Sequence, residues 1–285
     1  MVLLHYVGYG YAKRGCPIWL VKGLENCLLE YPNLRLMVIF HELFAFGLPW
    51  QSSFWTSLYQ RWLSAKLAKL ASACCASWRQ SAEWLGEKAP KHRGRVACSP
   101  VFSNVGEASQ LPGFERRHPH LVVFGGVATR SRAYAWNIER MEHALKELQI
   151  SQIVDIGPPC STPPKMSIPI VFRGCLPANK VSAEMSISRF GYFNCPIDCL
   201  SKSGVFAAYA AHGLVPLCSQ RNAKPNFEGL ESGVHLLNLE NALARELPQV
   251  ETVAGNVRTW YATHSLERQT ARLCALMEFH RGPGS

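Results

Sequence analysis

Short apolar runs alternate with segments of helical periodicity along the chain, and this alternation constrains the fold more than any other feature. Residues 36–40 form a continuous apolar run, which is typical of a parallel strand covered on both faces. Residues 17–30, which precede this run, have the apolar spacing of a helix. Strands that alternate with helices are joined by right-handed crossovers into a parallel sheet. The sequence therefore predicts the α/β class.

The alternation restarts after residue 120, which predicts two domains. Strands are predicted at residues 2–5, 36–40, 96–98, 121–124, 153–156, 168–172, 190–193, 214–218 and 234–239. Helices are predicted at residues 17–30, 54–73, 135–148, 181–188, 204–211 and 257–279. Residues 106–120 contain Gly, Pro, Arg and His in the pattern of a linker. We therefore expect two Rossmann-like domains, residues 1–118 and 119–285, which face each other across a cleft.

The charge balance predicts an anionic partner. Thirty Lys and Arg residues against twenty Asp and Glu give a formal net charge of +10. Phosphate, nucleic acid and a lipid surface are all compatible with such an excess. No recognised nucleic-acid-binding module is present, so we expect no nucleic acid among the partners. A hydrophobic content of 48% with 18% charged residues excludes a disordered chain.

The eleven cysteines do not have the spacing of a metal site. Cys74 and Cys75 are adjacent, Cys195 and Cys199 are separated by three residues, and no Cys-x2-Cys pair occurs. Their odd number predicts reduced thiols. The chain starts without a signal-type sequence, and its most apolar stretch, residues 36–50, is too short and too polar for a membrane span. We therefore expect a cytoplasmic protein that needs no metal or other cofactor.

Candidate binding residues follow the predicted strands, where open α/β sheets bind their ligands. They are His41, which follows the strand at residues 36–40; Gly125 and Gly126 with Arg130 and Arg132 beyond them; and Lys202, Ser203 and Gly204 at the start of a predicted helix. A glycine turn, fixed cations and the amides of a helix N-terminus, with Ser203 as its N-cap, suit a diphosphate. Each feature also has an alternative structural interpretation. The glycines then form a tight turn, the arginines lie on a solvated loop, Lys202 and Ser203 belong to a helix cap, and His41 is buried.

Four segments together resemble a known family. They are residues 38–42, 122–126, 171–177, which include Arg173, and 202–216. In this order they resemble the GT-B fold nucleotide-sugar glycosyltransferases, specifically the retaining family-four enzymes (glycosyltransferase group 1). The resemblance implies metal-independent transfer of a sugar, of the hexosyltransferase type, from a nucleotide-activated donor to a saccharide or lipid-linked acceptor.

The resemblance also implies roles for the candidate residues. His41 approaches the transferred sugar, Arg173 lies beside the nucleobase, and the second domain binds the donor. The diphosphate is held by Gly125, Gly126, Arg130, Arg132, Lys202, Ser203 and Gly204. The first domain is then the acceptor side.

The sequence departs from the family at two places. Family-four enzymes carry two Glu residues on the last donor-binding helix, whereas Leu200 and Ala208 occupy those positions here. The opening strand and glycine-rich loop of the family have no counterpart before Val2, so the resemblance implies an incomplete N-terminal domain. The alternative hypothesis is a non-catalytic GT-B-like interaction protein that lacks the acidic pair.

The helix predicted at residues 54–73 has a mixed aromatic and cationic stripe. At 100° per residue, six side chains fall within an arc of about 140°: Trp55, Leu58, Arg61, Trp62, Lys66 and Lys69. Such a stripe suits the headgroup region of an anionic membrane, and the alternative is an ordinary surface helix whose lysines extend over packed tryptophans. We therefore expect peripheral membrane contact as one possible role of this stripe.

Overall fold

The structure of the protein is a computed structural model that describes residues 1–45, 47–159, 165–219, 229–243 and 249–278. The chain divides into two compact units. Among the described residues, no helix combines the length and the apolar character required to cross a bilayer.

The first unit comprises Met1–Pro100 together with the C-terminal segment from Gln269, and the second comprises Val101–Arg268. This division differs from the predicted domains, because residues 101–118 belong to the second unit. The C-terminal segment returns to the first unit, where the Gln269 amide donates a hydrogen bond of 2.6 Å to the carbonyl of Pro100.

Hydrogen bonds explain why residues 101–118 belong to the second unit. The amide of Val101 donates to the carbonyl of Ser201 over 2.8 Å. The Tyr261 hydroxyl accepts from the amide of Ser103 over 2.8 Å and donates to the Glu107 carboxylate over 2.6 Å. Residues 106–120 have the composition of a linker, but the hydrogen bond between Glu107 and Tyr261 holds the start of this segment against the second unit.

Within the described residues, the first unit has a four-stranded parallel sheet in the order β1-β2-β3-β4. Its strands are β1 (Val2–Val7), β2 (Leu36–Glu42), β3 (Ala73–Ala76) and β4 (Val96–Cys98). Its helices include α1 (Gly8–Tyr11), α2 (Ile18–Glu30), α3 (Ser52–Leu70) and α4 (Arg79–Lys88). In β2, Val38 and Phe40 are buried in one core with Leu63 and Leu67 of α3. The prediction of a covered parallel strand at residues 36–40 is confirmed.

The predictions for the first unit missed β3 and α4. The predicted helix 54–73 ends at Leu70, because Ala73 begins a buried strand that pairs with β2 on one side and β4 on the other. The Ala-Cys-Cys-Ala sequence of β3 lacks the β-branched residues that mark a strand. Its strand conformation depends on the neighbouring strands.

Within the described residues, the second unit has a six-stranded parallel sheet in the order β10-β9-β8-β5-β6-β7. Its strands are β5 (His118–Phe124), β6 (Gln152–Ile156), β7 (Ile170–Gly174), β8 (Ser188–Phe193), β9 (Val215–Cys218) and β10 (Leu237–Asn238). Its helices include α5 (Val127–Tyr134), α6 (Ile138–Glu147), α7 (Ala178–Ser186), α8 (Gly204–Ala211), α9 (Leu239–Leu243) and α10 (Val250–Ala262). A short 3₁₀ helix, Ile197–Lys202, precedes α8. Read from β7 to β10, this is the strand order of a Rossmann fold.

Two helix predictions in the second half require correction. The helix predicted at 135–148 begins at Ile138, because the Asn137 side chain caps it by accepting from the Arg140 amide over 2.9 Å. The preceding α5 was not predicted at all.

The helix predicted at 257–279 is divided into α10 and α11 (Leu266–Glu278), and residue 279 lies outside the described residues. The Glu107 carboxylate accepts from the Leu266 amide over 2.7 Å at the start of α11. A carboxylate in this position satisfies an amide that has no intrahelical partner, so it stabilises a new helix start.

Candidate functional site

The strand order of the second unit reverses between β5 and β8. Ligands of open parallel sheets bind outside the carboxyl ends of the strands at such a reversal, because the following loops diverge there and leave a crevice. The residues that follow β5 are Gly125 and Gly126, and those that follow β8 are Asn194 and Cys195. This edge of the sheet is the candidate site.

The glycine turn after β5 touches the turn after β6. Gly125 has a φ of 131° and Gly157 a φ of 152°, both in a region that favours glycine. A Cβ on Gly157 would overlap the carbonyl oxygen of Gly125 and come within 2.7 Å of Arg130 Nε. Gly126 follows with ordinary backbone angles, directly before α5. The close approach of these turns therefore explains glycine at positions 125 and 157.

The side chain of Arg130, which is predicted to help hold the diphosphate, is buried. Its guanidinium forms an ion pair with Asp155 of β6, and its Nε donates to the carbonyl of Gly125 over 3.0 Å. The Tyr134 hydroxyl donates to the same carboxylate over 2.7 Å. Burial and this hydrogen bond to Asp155 raise the pKa of Tyr134 far above its ordinary value. Arg130 thus holds the glycine turn in place from inside the unit.

The charges of Arg132 and Lys202 act on the same thiol although the two residues belong to different elements. Burial, with smaller contributions from Cys199 and Cys218, raises the pKa of Cys195 to about 12, and the positive charges of Arg132 and Lys202 oppose this rise. Both cations are therefore close enough to Cys195 for their charges to act on it. The Asn194 amide also donates to the carbonyl of Arg132 over 2.9 Å, which ties the loop after β8 to α5. Arg132 and Lys202 thus both act electrostatically on the loop that follows β8.

The start of α8 lies against the glycine turn. The Ser203 hydroxyl accepts from the amide of Phe206 over 3.2 Å, so the prediction of Ser203 as N-cap is confirmed. A Cβ on Gly125 would lie 3.3 Å from a methyl group of Val205, which follows Gly204 in the first turn of α8. The positive end of the α8 dipole is therefore beside the turn that follows β5.

Arg173 forms an ion pair with a neighbouring helix of the second unit. It lies in the edge strand β7, and its Nε pairs with the Glu184 carboxylate of α7 over 3.1 Å. Leu200 and Ala208, where the family carries acids, are 1% and 0% exposed. An ionised carboxylate at such a position requires a buried partner, so the apolar residues fit their surroundings.

His41 belongs to the first unit and lies at a bulge in β2. Tyr6 pairs with Phe40 and Val7 pairs with Glu42, which leaves His41 as the extra residue. Its ring stacks on the ring of His5, and His5 Nδ1 and His41 Nε2 share a hydrogen bond of 3.0 Å.

Burial lowers the pKa of His41, the nearby His5 lowers it further, and Glu42 opposes the change. The histidine pair favours a neutral His41. Sequence reasoning missed His5, because only the parallel pairing of β1 with β2 brings it to His41.

Metal-ligating side chains do not form a cluster in the described part of the chain. No group of three or more His, Cys, Asp or Glu residues converges there. The cations predicted for the candidate site are Arg132 and Lys202, and α5 and α8 begin directly after the glycine turn and after Ser203, respectively.

No protein-family profile matches the sequence, and no curated protein sequence matches it. Solved structures do match its fold. A UDP-forming α,α-trehalose-phosphate synthase from Burkholderia xenovorans is 12% identical, with a TM-score of 0.58 over 97% of this chain and 73% of that one. WaaG, a glycosyltransferase involved in lipopolysaccharide biosynthesis, is 13% identical, with a TM-score of 0.51 over 95% of this chain and 85% of that one.

An alpha-glucosyltransferase in complex with UDP and a 13-mer DNA also matches. It is 12% identical, with a TM-score of 0.56 over 90% of this chain and 75% of that one. The structures matched are GT-B glycosyltransferases. The chain therefore has an α/β fold with parallel sheets of the GT-B kind.

Proposed function

We propose that the protein is a glycosyltransferase that binds a nucleoside diphosphate sugar at the carboxyl ends of β5 and β8. One observation carries the proposal: the glycine turn after β5 lies against the first turn of α8 at the point where the strand order reverses. The fold neighbours add support, because one forms UDP and another is a complex with UDP. UDP is therefore the first nucleotide to test.

The diphosphate would occupy the space beside the glycine turn. Gly125 and Gly126 allow the backbone to approach phosphate oxygens closely, and the N-terminus of α8 at Gly204 directs unpaired amides outwards. Arg132 and Lys202 would supply fixed positive charge. Arg130 would act indirectly, by fixing the carbonyl of Gly125.

The proposed reaction needs charge stabilisation more than a strong base. The acceptor hydroxyl oxygen forms a bond to the anomeric carbon of the sugar, and the bond from that carbon to the diphosphate breaks with its electron pair. The acceptor proton passes to the departing phosphate. Fixed cations and helix amides stabilise the charge that develops on the diphosphate, and this is the largest contribution expected from the protein.

The enzyme type, the residue that contacts the sugar and the acceptor are part of the same proposal. We propose the retaining family-four type on the order of the four sequence segments, with His41 as the residue that contacts the transferred sugar. The acceptor is proposed to be a saccharide or a lipid-linked sugar, and the transfer to be independent of metal.

A second function is favoured by a specific observation. Leu200 and Ala208 are packed inside the core of the second unit, in place of the acids that family-four enzymes carry. This favours a non-catalytic GT-B-like protein that retains the scaffold for interaction.

Release of UDP from UDP-sugars distinguishes the two functions. Transfer or slow hydrolysis by the wild-type protein, lost in Arg132→Met and Lys202→Met, supports the enzyme. Binding of UDP without release from any donor or acceptor tested supports the non-catalytic protein.

A further inference from the structure

The exposed tryptophans are concentrated in one part of the first unit. Of the chain's eight tryptophans, four are more than half exposed: Trp19, Trp50, Trp55 and Trp62. They lie within 44 residues of sequence, on α2, on α3 and on the loop before α3. The tryptophans further along the chain are each half-buried. Large exposed aromatic groups gathered in this way mark a surface that contacts another phase or molecule.

Two of these tryptophans, Trp55 and Trp62, share one exposed stripe of α3 with Leu58. Trp55, Leu58 and Trp62 follow the three- and four-residue spacing of one helix face, and each is more than half exposed. Leu58 and Trp62 also line a groove of about 570 Å³ between α3 and α2, together with Tyr59, Ile18 and Lys22. We refer to the groove and the exposed stripe of α3 as the α2–α3 surface.

The stability of the unit does not require this surface to be aromatic. The opposite face of α3 carries the buried residues Leu63, Ser64 and Leu67, which pack in the core or, for Ser64, donate to the carbonyl of Leu43 over 2.7 Å. Trp55 instead donates its indole N–H to the carbonyl of Pro49 over 3.1 Å, beside Trp50. The rings are thus held at the surface and remain exposed.

The α2–α3 surface is also basic. The segments 1–24 and 43–82, which include the first turns of α2 and all of α3, contain no Asp or Glu. Lys22 lines the groove, and Arg61 and Lys69 are exposed on α3. The charge of Lys66 on α3 is neutralised, because its Nζ pairs with the Glu25 carboxylate of α2 over 2.5 Å. Its Nζ lies 5.6 Å from the centroid of Trp62.

We propose that the α2–α3 surface docks on an anionic lipid bilayer. Tryptophan with interleaved lysine and arginine suits the headgroup region, where the ring is partly apolar and the cation meets lipid phosphate. The apolar walls at Ile18 and Leu58 suit acyl chains, and Lys22 at the groove suits a phosphate. This proposal does not rest on the proposed glycosyl transfer.

Charge argues against a second copy of the chain, and the aliphatic part of the groove lining argues against nucleic acid. In a symmetric dimer through this surface, Lys22, Arg61 and Lys69 would meet the same cations of the second copy, and like charges repel. Single-stranded nucleic acid requires rings on which bases stack along a cationic groove. Here the groove walls include the aliphatic residues Ile18 and Leu58.

Vesicle sedimentation of the full chain tests the proposal. Vesicles of phosphatidylcholine with phosphatidylglycerol are compared with pure phosphatidylcholine at low and high salt. The variant Trp55→Ser/Leu58→Ser/Trp62→Ser removes the apolar contacts, and Lys22→Glu/Lys69→Glu reverses the charge. All of these side chains are at the surface, and circular dichroism with thermal unfolding checks that each variant is folded. The matched control is Phe172→Ser/Lys180→Glu, which changes an exposed aromatic and an exposed lysine of the second unit.

The wild-type protein and the control are expected to bind the anionic vesicles, and less so at high salt. The partition coefficient of each α2–α3 variant into anionic vesicles is expected to be about tenfold or more below that of the wild type. Quenching of tryptophan fluorescence by brominated phosphatidylglycerol should accompany binding and disappear in the first variant.

Several results would overturn the proposal. The wild-type protein would bind both vesicle types equally, or it would bind neither. Alternatively, the control variant would lose as much vesicle binding as the α2–α3 variants. A dimer in light scattering that the first variant dissociates would assign the surface to a second copy, and tighter binding of an oligonucleotide than of vesicles would assign it to nucleic acid.

Discussion

The guanidinium of Arg130 and the carboxylate of Asp155 form an ion pair in which the two side chains are 1% and 2% exposed. The pair joins α5 to β6, 25 residues further along the chain. Because Arg130 also donates to the carbonyl of Gly125 over 3.0 Å, the pair connects the core of the second unit to the glycine turn of the candidate site.

Asp155→Asn is expected to destabilise the protein by about 3–5 kcal/mol, because it leaves the Arg130 charge buried without an opposite charge. Denaturant unfolding followed by circular dichroism measures the change. Glu184→Gln is the matched control, since it breaks the partly exposed pair with Arg173 and should cost about 0–1 kcal/mol. Equal losses of unfolding free energy in the two variants would contradict the structural role of Arg130.

Alanine at two neighbouring glycines should have opposite outcomes. Gly157→Ala places a Cβ against the carbonyl of Gly125 and strains a φ of 152°, so we expect a loss of more than about 1 kcal/mol in unfolding free energy. Gly126→Ala meets no atom within 4 Å and should leave the stability nearly unchanged. Thermal unfolding compares them, and a stable Gly157→Ala protein would show that the two turns do not touch.

The buried His212 predicts a pH-dependent stability. Its ring lies 2.7 Å from the Ser182 hydroxyl and 2.8 Å from the carbonyl of Ala208, and burial lowers its pKa from the ordinary 6.5. Below this ordinary pKa the unfolded chain takes up a proton that the folded protein excludes, so the unfolding free energy falls as the pH decreases.

Urea unfolding on both sides of that pH measures the effect. His212→Gln should reduce the loss of stability on acidification, whereas the same change at the exposed His143 should not. An unchanged pH dependence in His212→Gln would show that another group is responsible.

The sequence was sufficient to predict those elements whose pattern is local. The apolar run 36–40 and the capped helix Gly204–Ala211 required no knowledge of partners, and both are confirmed. β3 was missed because its Ala and Cys residues become a strand only between two others.

The same distinction applies to the candidate site. Gly125 and Ser203 were identifiable from their place beside a strand or a helix. The burial of Arg130 was not, because its partner Asp155 is remote in sequence and looks like an ordinary strand residue. The contact of His5 with His41 likewise depends on strand register, which single-residue patterns do not contain.

Removal of either cation should weaken donor binding. Arg132→Met and Lys202→Met are each expected to reduce the affinity for UDP by about ten- to a hundredfold, which corresponds to the loss of one charge-assisted hydrogen bond of about 1.5–3 kcal/mol. Lys180→Met removes an exposed lysine of α7 and serves as the control. An affinity that changes equally in all three variants would reflect only the net charge of the protein.

Calorimetric titration of the wild-type protein with UDP, alongside other nucleoside diphosphates, tests the central claim most directly. The account predicts saturable binding of at least one of them, with one site per chain. The heat of binding should be clearly smaller in Arg132→Met and Lys202→Met. Absence of binding by every nucleoside diphosphate at millimolar concentration would contradict the assignment of the β5–β8 edge as a donor site.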